Sequence, residues 1–150
     1  MKPVRIGFIG AGIISDLHAE GIAVHPDAQL VGLWNRTPAR AAEKSHLFNC
    51  RAYDSPEALV ADPDIDAVFV LTNLETHRKY ALLALEAGKH VLVEKPVGAN
   101  IGEIQDLDHA AKKAGLICLP GHNYIYEQTL IRSRELVQQG KLGKLVAAYV

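Results

Sequence analysis

The sequence predicts an α/β fold in which a doubly wound parallel sheet carries helices on both faces. Three observations predict it. Short β-branched runs alternate with longer helical patterns from end to end. The runs are apolar throughout rather than at every second position, as suits strands covered on both sides. The first run leads straight into a glycine-rich turn that opens a helical pattern.

Strands are expected over residues 4–9, 30–34, 67–71, 90–93 and 116–119. Thr37 before Pro38 and Ser55 before Pro56 each set a capping hydroxyl ahead of a proline at the first helical position. Asn100 with Glu103 makes a capping box. Gly88, Gly115 and Gly140 each follow an apolar-periodic stretch and predict left-handed helix ends. The segment 144–150 starts a new strand-like run and is expected to be the first strand of a C-terminal α+β domain. The domain reading is therefore 1–143 for the first unit and 144–150 for the start of the second.

At 150 residues and 49% hydrophobic, the chain can bury the core of one domain. A net charge of −1, with acids and bases interspersed, offers no footprint for nucleic acid or an anionic membrane. A small-molecule partner is the better expectation. Cys50 and Cys118 share no CxxC spacing, so reduced, partly buried thiols are expected and no metal site. The start MKPVRIGFIGAGII has the charged and apolar halves of a signal peptide, but its glycines, Asp16 and His18 speak against one. No apolar stretch approaches the roughly 20 residues that cross a bilayer. A cytoplasmic location is expected.

The chemistry starts at Gly10-Ala11-Gly12-Ile13-Ile14-Ser15. Gly10 permits a tight turn, Gly12 lets backbone approach a diphosphate, and a small third residue lets the helix pack close to the strand. The N–H groups of Ile13 and Ile14 would then open a helix whose positive end faces the phosphates. Ser15 stands where a third glycine is usual, a change that a small side chain tolerates. Placed in the first strand–helix unit of an alternating chain, the turn predicts a Rossmann-type dinucleotide site. S-adenosylmethionine enzymes also use a glycine-rich first turn, but the acidic residue they place just before it would fall near Phe8 or Ile9 and is absent.

The second strand ends at Trp34-Asn35-Arg36-Thr37. NAD-preferring sites hold a carboxylate there for the ribose 2′-hydroxyl. Asn35 is neutral, Arg36 can pair with a 2′-phosphate or lie on the adenine, and Thr37 adds donors. NADP is thus favoured slightly over NAD, and a solvated turn before a capped helix is the plainer alternative. Glu94-Lys95-Pro96 follows the strand 90–93, at the sheet edge where open α/β folds bind ligands. By itself the tripeptide reads as a surface ion pair beside a turn proline. Together with the glycine turn it reads as part of a site.

Gly7-Phe8-Ile9-Gly10-Ala11-Gly12-Ile13 with His18, then Ile65-Asp66-Ala67-Val68, then Ala87-Gly88-Lys89-His90-Val91-Leu92-Val93-Glu94-Lys95-Pro96 resemble the family of glucose–fructose oxidoreductase, inositol dehydrogenase and the MocA proteins. The resemblance covers nearly the whole chain. It implies an NAD(P)-binding N-terminal domain, a C-terminal sheet domain completing the substrate pocket, and hydride transfer to or from a secondary alcohol or ketone of a sugar, cyclitol or related polyol. It implies that Lys95 is catalytic and lies by the nicotinamide, that Glu94 binds the nicotinamide ribose, and that Pro96 follows a cis bond. Thr72 and His77 match a Thr-Pro-x-x-x-His pattern, with Asn73 in place of the proline; a surface histidine at a helix start is the alternative for His77. His122-Asn123-Tyr124 matches a segment near the nicotinamide, with Asn123 a cofactor contact, while Ile125 and Gln128 depart from the pattern. No counterpart of the family's downstream Asp and His cluster is present, so this chain alone is expected to be inactive. A homo-oligomer is expected for the full-length protein. A non-catalytic dinucleotide-binding or redox-sensing domain is the rival reading, since it would keep the glycine turn without needing Lys95.

Overall fold

A computed structural model describes residues 2–144, 146 and 147. The elements alternate as β1 (Val4–Ile9), α1 (Ile14–Val24), β2 (Ala28–Trp34), α2 (Pro38–Leu47), β3 (Arg51–Ala52), α3 (Pro56–Ala61), β4 (Ala67–Val70), α4 (Leu74–Glu86), β5 (His90–Val93), α5 (Ile101–Ala114) and β6 (Cys118–Pro120). A short 3-10 turn, Asn123–Tyr126, and α6 (Gln128–Gln138) follow. The six strands form one sheet in the order β3-β2-β1-β4-β5-β6, and every pairing is parallel. The chain winds outward from β1 in one direction, then crosses through α3 to β4 and winds out in the other. Between β1 and β4 the winding reverses, and a crevice opens at the strands' C-terminal ends.

Strand alternation sorts the core between the two faces. Phe8 and Leu33 point to the face covered by α1 and α2, where they bury with Ile22 and Ala41. Ile9, Val68, Val70, Val91 and Val93 point to the other face, under Leu59 of α3, Ala81 and Leu85 of α4, and Leu107 of α5. Each of these larger side chains contributes about 1.5–3 kcal/mol on leaving water. At the start of β1, the Arg5 guanidinium donates to both carboxylate oxygens of Asp66, at 2.8 and 3.0 Å, fixing the entrance to β4. That contact holds the Asp66 carboxyl down at about 2.

The expected α/β class and its punctuation are found, with local differences. Ser55 accepts from Ala58 N–H as a cap, and Asn100 accepts from Glu103 N–H. The Glu103 carboxylate returns to Ala99 N–H rather than to the cap residue's own. Thr37 does not cap through its side chain: its carbonyl accepts from Arg40 N–H, a third-position donor that a capping hydroxyl would otherwise serve, as well as from Ala41 N–H. Gly88, Gly115 and Gly140 take positive φ of 78°, 67° and 70° at helix ends. The strand expected at 116–119 lies instead at Cys118–Pro120, because Leu116 turns inward against the core after the α5 helix end. The two-residue edge strand β3 was not expected; its side chains are exposed and give no apolar signal. The strand expected over 144–150 falls on Leu145, Ala148, Tyr149 and Val150, outside the described residues; Lys144, Val146 and Ala147 have no regular structure.

Candidate dinucleotide site

The glycine turn is held from three sides. Gly10 N–H donates to Trp34 C=O at 2.8 Å, and Ala11 N–H donates to Asn35 Oδ1 at 3.1 Å, so the end of β2 fixes the turn's path. Gly10 has φ of +108°, and a Cβ there would lie 2.6 Å from Leu71 O at the end of β4. Only glycine fits. Ser15, fully buried, donates its hydroxyl to Gly12 C=O at 2.6 Å and brings α1 close against the sheet. Its small size does what the third glycine would do.

Gly12 is different in kind, because a Cβ added there would meet no protein atom within 4 Å. Its bare side faces open space. No side chain caps α1, whose N-cap residue is Ile13; Ser15 and Asp16 N–H donate to Gly12 and Ile13 C=O, which leaves the Ile13 and Ile14 N–H groups without a partner among the described residues. Free N–H groups and the positive end of the helix dipole beside open space are suited to an anion.

A cleft of about 380 Å³ spans the crevice from this turn. Its walls are Gly10 and Gly12, then Asn35, Arg36, Thr37 and Arg40 from the β2 end, then Thr72, Asn73 and Thr76 from the β4 end, with Trp34 and Tyr80 packed edge to face at 5.5 Å behind them. Arg36 and Arg40 are exposed and pair with no carboxylate among the described residues. Glu75 is the acidic side chain of the lining. A larger groove, about 620 Å³, lies between α1 and α2 toward the opposite edge of the sheet, away from the glycine turn.

Seven residues expected at the site line this cleft: Gly10, Gly12, Asn35, Arg36, Thr37, Thr72 and Asn73. Asn35 is committed to structure, its Oδ1 on Ala11 and its Nδ2 3.3 Å from Thr37 O. His77 is no surface histidine. It is buried behind the cleft, with Nδ1 2.8 Å from Pro96 O and Nε2 2.8 Å from Thr72 O, and it joins the loops after β4 and β5. Glu94 and Lys95 stand at the end of β5 on the same sheet edge, and the Lys95–Pro96 bond is cis. They are not paired with each other through side chains: Glu94 Oε1 lies 2.8 Å from His18 Nε2, and its Oε2 accepts Lys95 N–H at 2.9 Å. The Lys95 side chain is exposed and Glu94 is buried. Asn123 lies in the 3-10 turn after β6, exposed, its side chain hydrogen-bonded to none of the described residues.

Sequence reading assigned no role to Arg40, Thr76, Tyr80 or His18. Arg40 and Thr76 each sit at the third helical position after a loop already implicated, which is the signal that could have found them. Tyr80 is reached only through its packing on Trp34.

A parallel sheet in this strand order, with a glycine turn and a free helix end at the switch point, defines a dinucleotide-binding Rossmann domain. The chain belongs to the GFO/IDH/MocA oxidoreductase family with an NAD-binding Rossmann fold, which it matches over residues 4–122. It is 34% identical to the myo-inositol 2-dehydrogenase of Thermotoga maritima over 94% of this chain and 42% of that protein. It superposes on the scyllo-inositol dehydrogenase of Lactobacillus casei with a TM-score of 0.88, at 29% identity, over 95% of this chain and 43% of that one. A 3-ketoreductase from Actinomadura kijaniata, solved with NADP, superposes with a TM-score of 0.87 at 25% identity, over 93% of this chain and 43% of that one. The chain thus spans less than half the length of each.

Proposed function

We propose that this chain is the cofactor-binding part of an NAD(P)-dependent oxidoreductase that moves hydride between the nicotinamide and a secondary alcohol or ketone of a sugar, cyclitol or related polyol, with NADP(H) slightly preferred. The observation that carries the proposal is the open space at Gly12 beside an uncapped helix end, on the same sheet edge as Lys95. The relatives' names, inositol dehydrogenases and a 3-ketoreductase, support the substrate class and favour an enzyme over a non-catalytic dinucleotide sensor.

The residues fit the cofactor. The first-turn N–H groups at Ile13 and Ile14 would hold the diphosphate, Thr72 and Asn73 would border it across the crevice, and Arg36, Thr37 and Arg40 would surround the adenosine ribose. The bound nicotinamide supplies the hydride chemistry. Glu94 would accept from ribose hydroxyls, and Asn123 would border the nicotinamide side. Lys95 would place its ammonium against the oxygen that becomes an alkoxide, stabilising that charge or relaying its proton. Since the chain spans 42% of the myo-inositol 2-dehydrogenase's length, residues outside that span are expected to complete the substrate pocket, and this chain alone is expected to give no turnover. A cytoplasmic location and a homo-oligomeric full-length protein belong to the same proposal.

The preference for NADP rests on two guanidiniums, Arg36 after β2 and Arg40 in the first turn of α2, that have no carboxylate partner among the described residues. Titration calorimetry with NADPH and NADH on the wild-type chain and on Arg36→Ala/Arg40→Ala tests it. A several-fold NADPH preference that disappears in the double variant is expected. A tenfold preference for NADH in the wild type would overturn it.

A further inference from the structure

We infer that His18 is a positioning residue for Glu94, locking its carboxylate into one orientation on the nicotinamide side of the site. The inference rests on the dinucleotide reading and deepens it. Glu94 is confined on three sides. His18 Nε2 donates to Oε1 at 2.8 Å, and Lys95 N–H donates to Oε2 at 2.9 Å. At Gly121, after β6, an added Cβ would lie 3.3 Å from Oε1 and 3.2 Å from the Glu94 Cα, so glycine there makes room for the carboxylate.

His18 is itself held in place. Its ring meets Phe69 edge-on at 5.4 Å and Phe8 at 6.3 Å, and only a fifth of the side chain is exposed. The aromatic wall fixes the ring and dries the contact, and a charge-assisted hydrogen bond strengthens in such surroundings. The carboxylate accepts one bond at each oxygen and keeps further lone pairs free for hydroxyl donors. His18 lies on the second turn of α1, the helix that starts at the glycine turn, and reaches across β4 to the end of β5. One side chain therefore ties the diphosphate end of the site to the Glu94 end.

The test compares NADPH, which extends to Glu94, with ADP, which stops at the diphosphate, in calorimetric titrations of the whole chain. His18→Leu is expected to weaken NADPH about tenfold and to leave ADP within twofold. His18→Gln, whose amide nitrogen replaces Nε2, should restore NADPH binding to within threefold, whereas the shorter His18→Asn should not. In a Glu94→Gln background His18→Leu should add less than twofold, because a residue acting through Glu94 is not additive with it. Equal loss of NADPH and ADP binding in His18→Leu, no loss of either, or a full additive loss beside Glu94→Gln would overturn the inference. If His18→Leu fails to fold, the contrast between Gln and Asn decides alone. A wild-type chain that binds neither ligand would refute the dinucleotide reading itself, a result separate from all of these.

Discussion

Gly10 and Gly12 are two residues apart, yet substituting them should fail in opposite ways. Gly10→Ala puts a side chain at φ +108° and a Cβ 2.6 Å from a backbone oxygen at the end of β4. A residue forced into such a region costs about 1–3 kcal/mol, and since a backbone atom cannot swing aside as a side chain can, a total of about 3 kcal/mol is expected. Gly12→Val meets no protein atom near its Cβ and needs no left-handed backbone, so stability should change by less than about 1 kcal/mol. The valine would fill the space where the diphosphate meets the helix end. Hydrogen bonds to a charged group are worth about 1.5–3 kcal/mol each, so loss of two is at least about 3 kcal/mol, or roughly a hundredfold in affinity. Chemical denaturation with calorimetric titration of NADPH measures both quantities. The expected result is Gly10→Ala destabilised and Gly12→Val stable but unable to bind. A Gly12→Val chain that binds within threefold of wild type, or a Gly10→Ala chain as stable as wild type, would refute the reasoning.

Three further outcomes are expected. In the full-length protein, Lys95→Ala should lower kcat by a hundredfold or more and leave cofactor affinity within twofold, as steady-state kinetics with a polyol panel would show; parallel losses of both would contradict the assigned role. The Asp66 carboxyl sits at about 2 beside Arg5, below its ordinary 3.8, so its stabilising effect is complete above about pH 4 and fades as pH falls toward 2. Asp66 is partly exposed, so Asp66→Asn should cost about 1 kcal/mol at pH 7, after allowing for solvent screening, and nearly nothing at pH 2 in urea titrations. Burial pushes the Cys50 thiol up to about 11, so alkylation by iodoacetamide should be slow at pH 7.5 and should accelerate only as pH approaches that value.

The fold was legible because its signals are local. Apolar runs such as Val4–Ile9 and His90–Val93 need no tertiary knowledge, and Ser55, Asn100 and the left-handed glycines mark helix ends through backbone chemistry alone. Exposed Arg51–Ala52 left no such signal, and its pairing with β2 is purely a matter of neighbourhood. The same division runs through the site. The glycine turn, Asn35-Arg36-Thr37 and Glu94-Lys95-Pro96 could be read from strand ends. That Asn35 is spent on the turn, that His77 reaches the Pro96 carbonyl, and that Glu94 pairs with His18 rather than Lys95 are contacts between residues 19 to 76 positions apart, and sequence spacing does not encode them. Thr37 shows the limit on a smaller scale: its carbonyl takes the Arg40 N–H that its hydroxyl could have served.

The central claim is that a dinucleotide lies across the crevice between β1 and β4, and amide chemical-shift mapping by NMR tests it most directly. Adding NADPH to the labelled chain should shift the amides of residues 10–14, 35–37 and 72–73, with smaller shifts at Glu94 and Lys95, all saturating together. Saturable shifts confined to the larger groove between α1 and α2, or none at the glycine turn at millimolar cofactor, would contradict it.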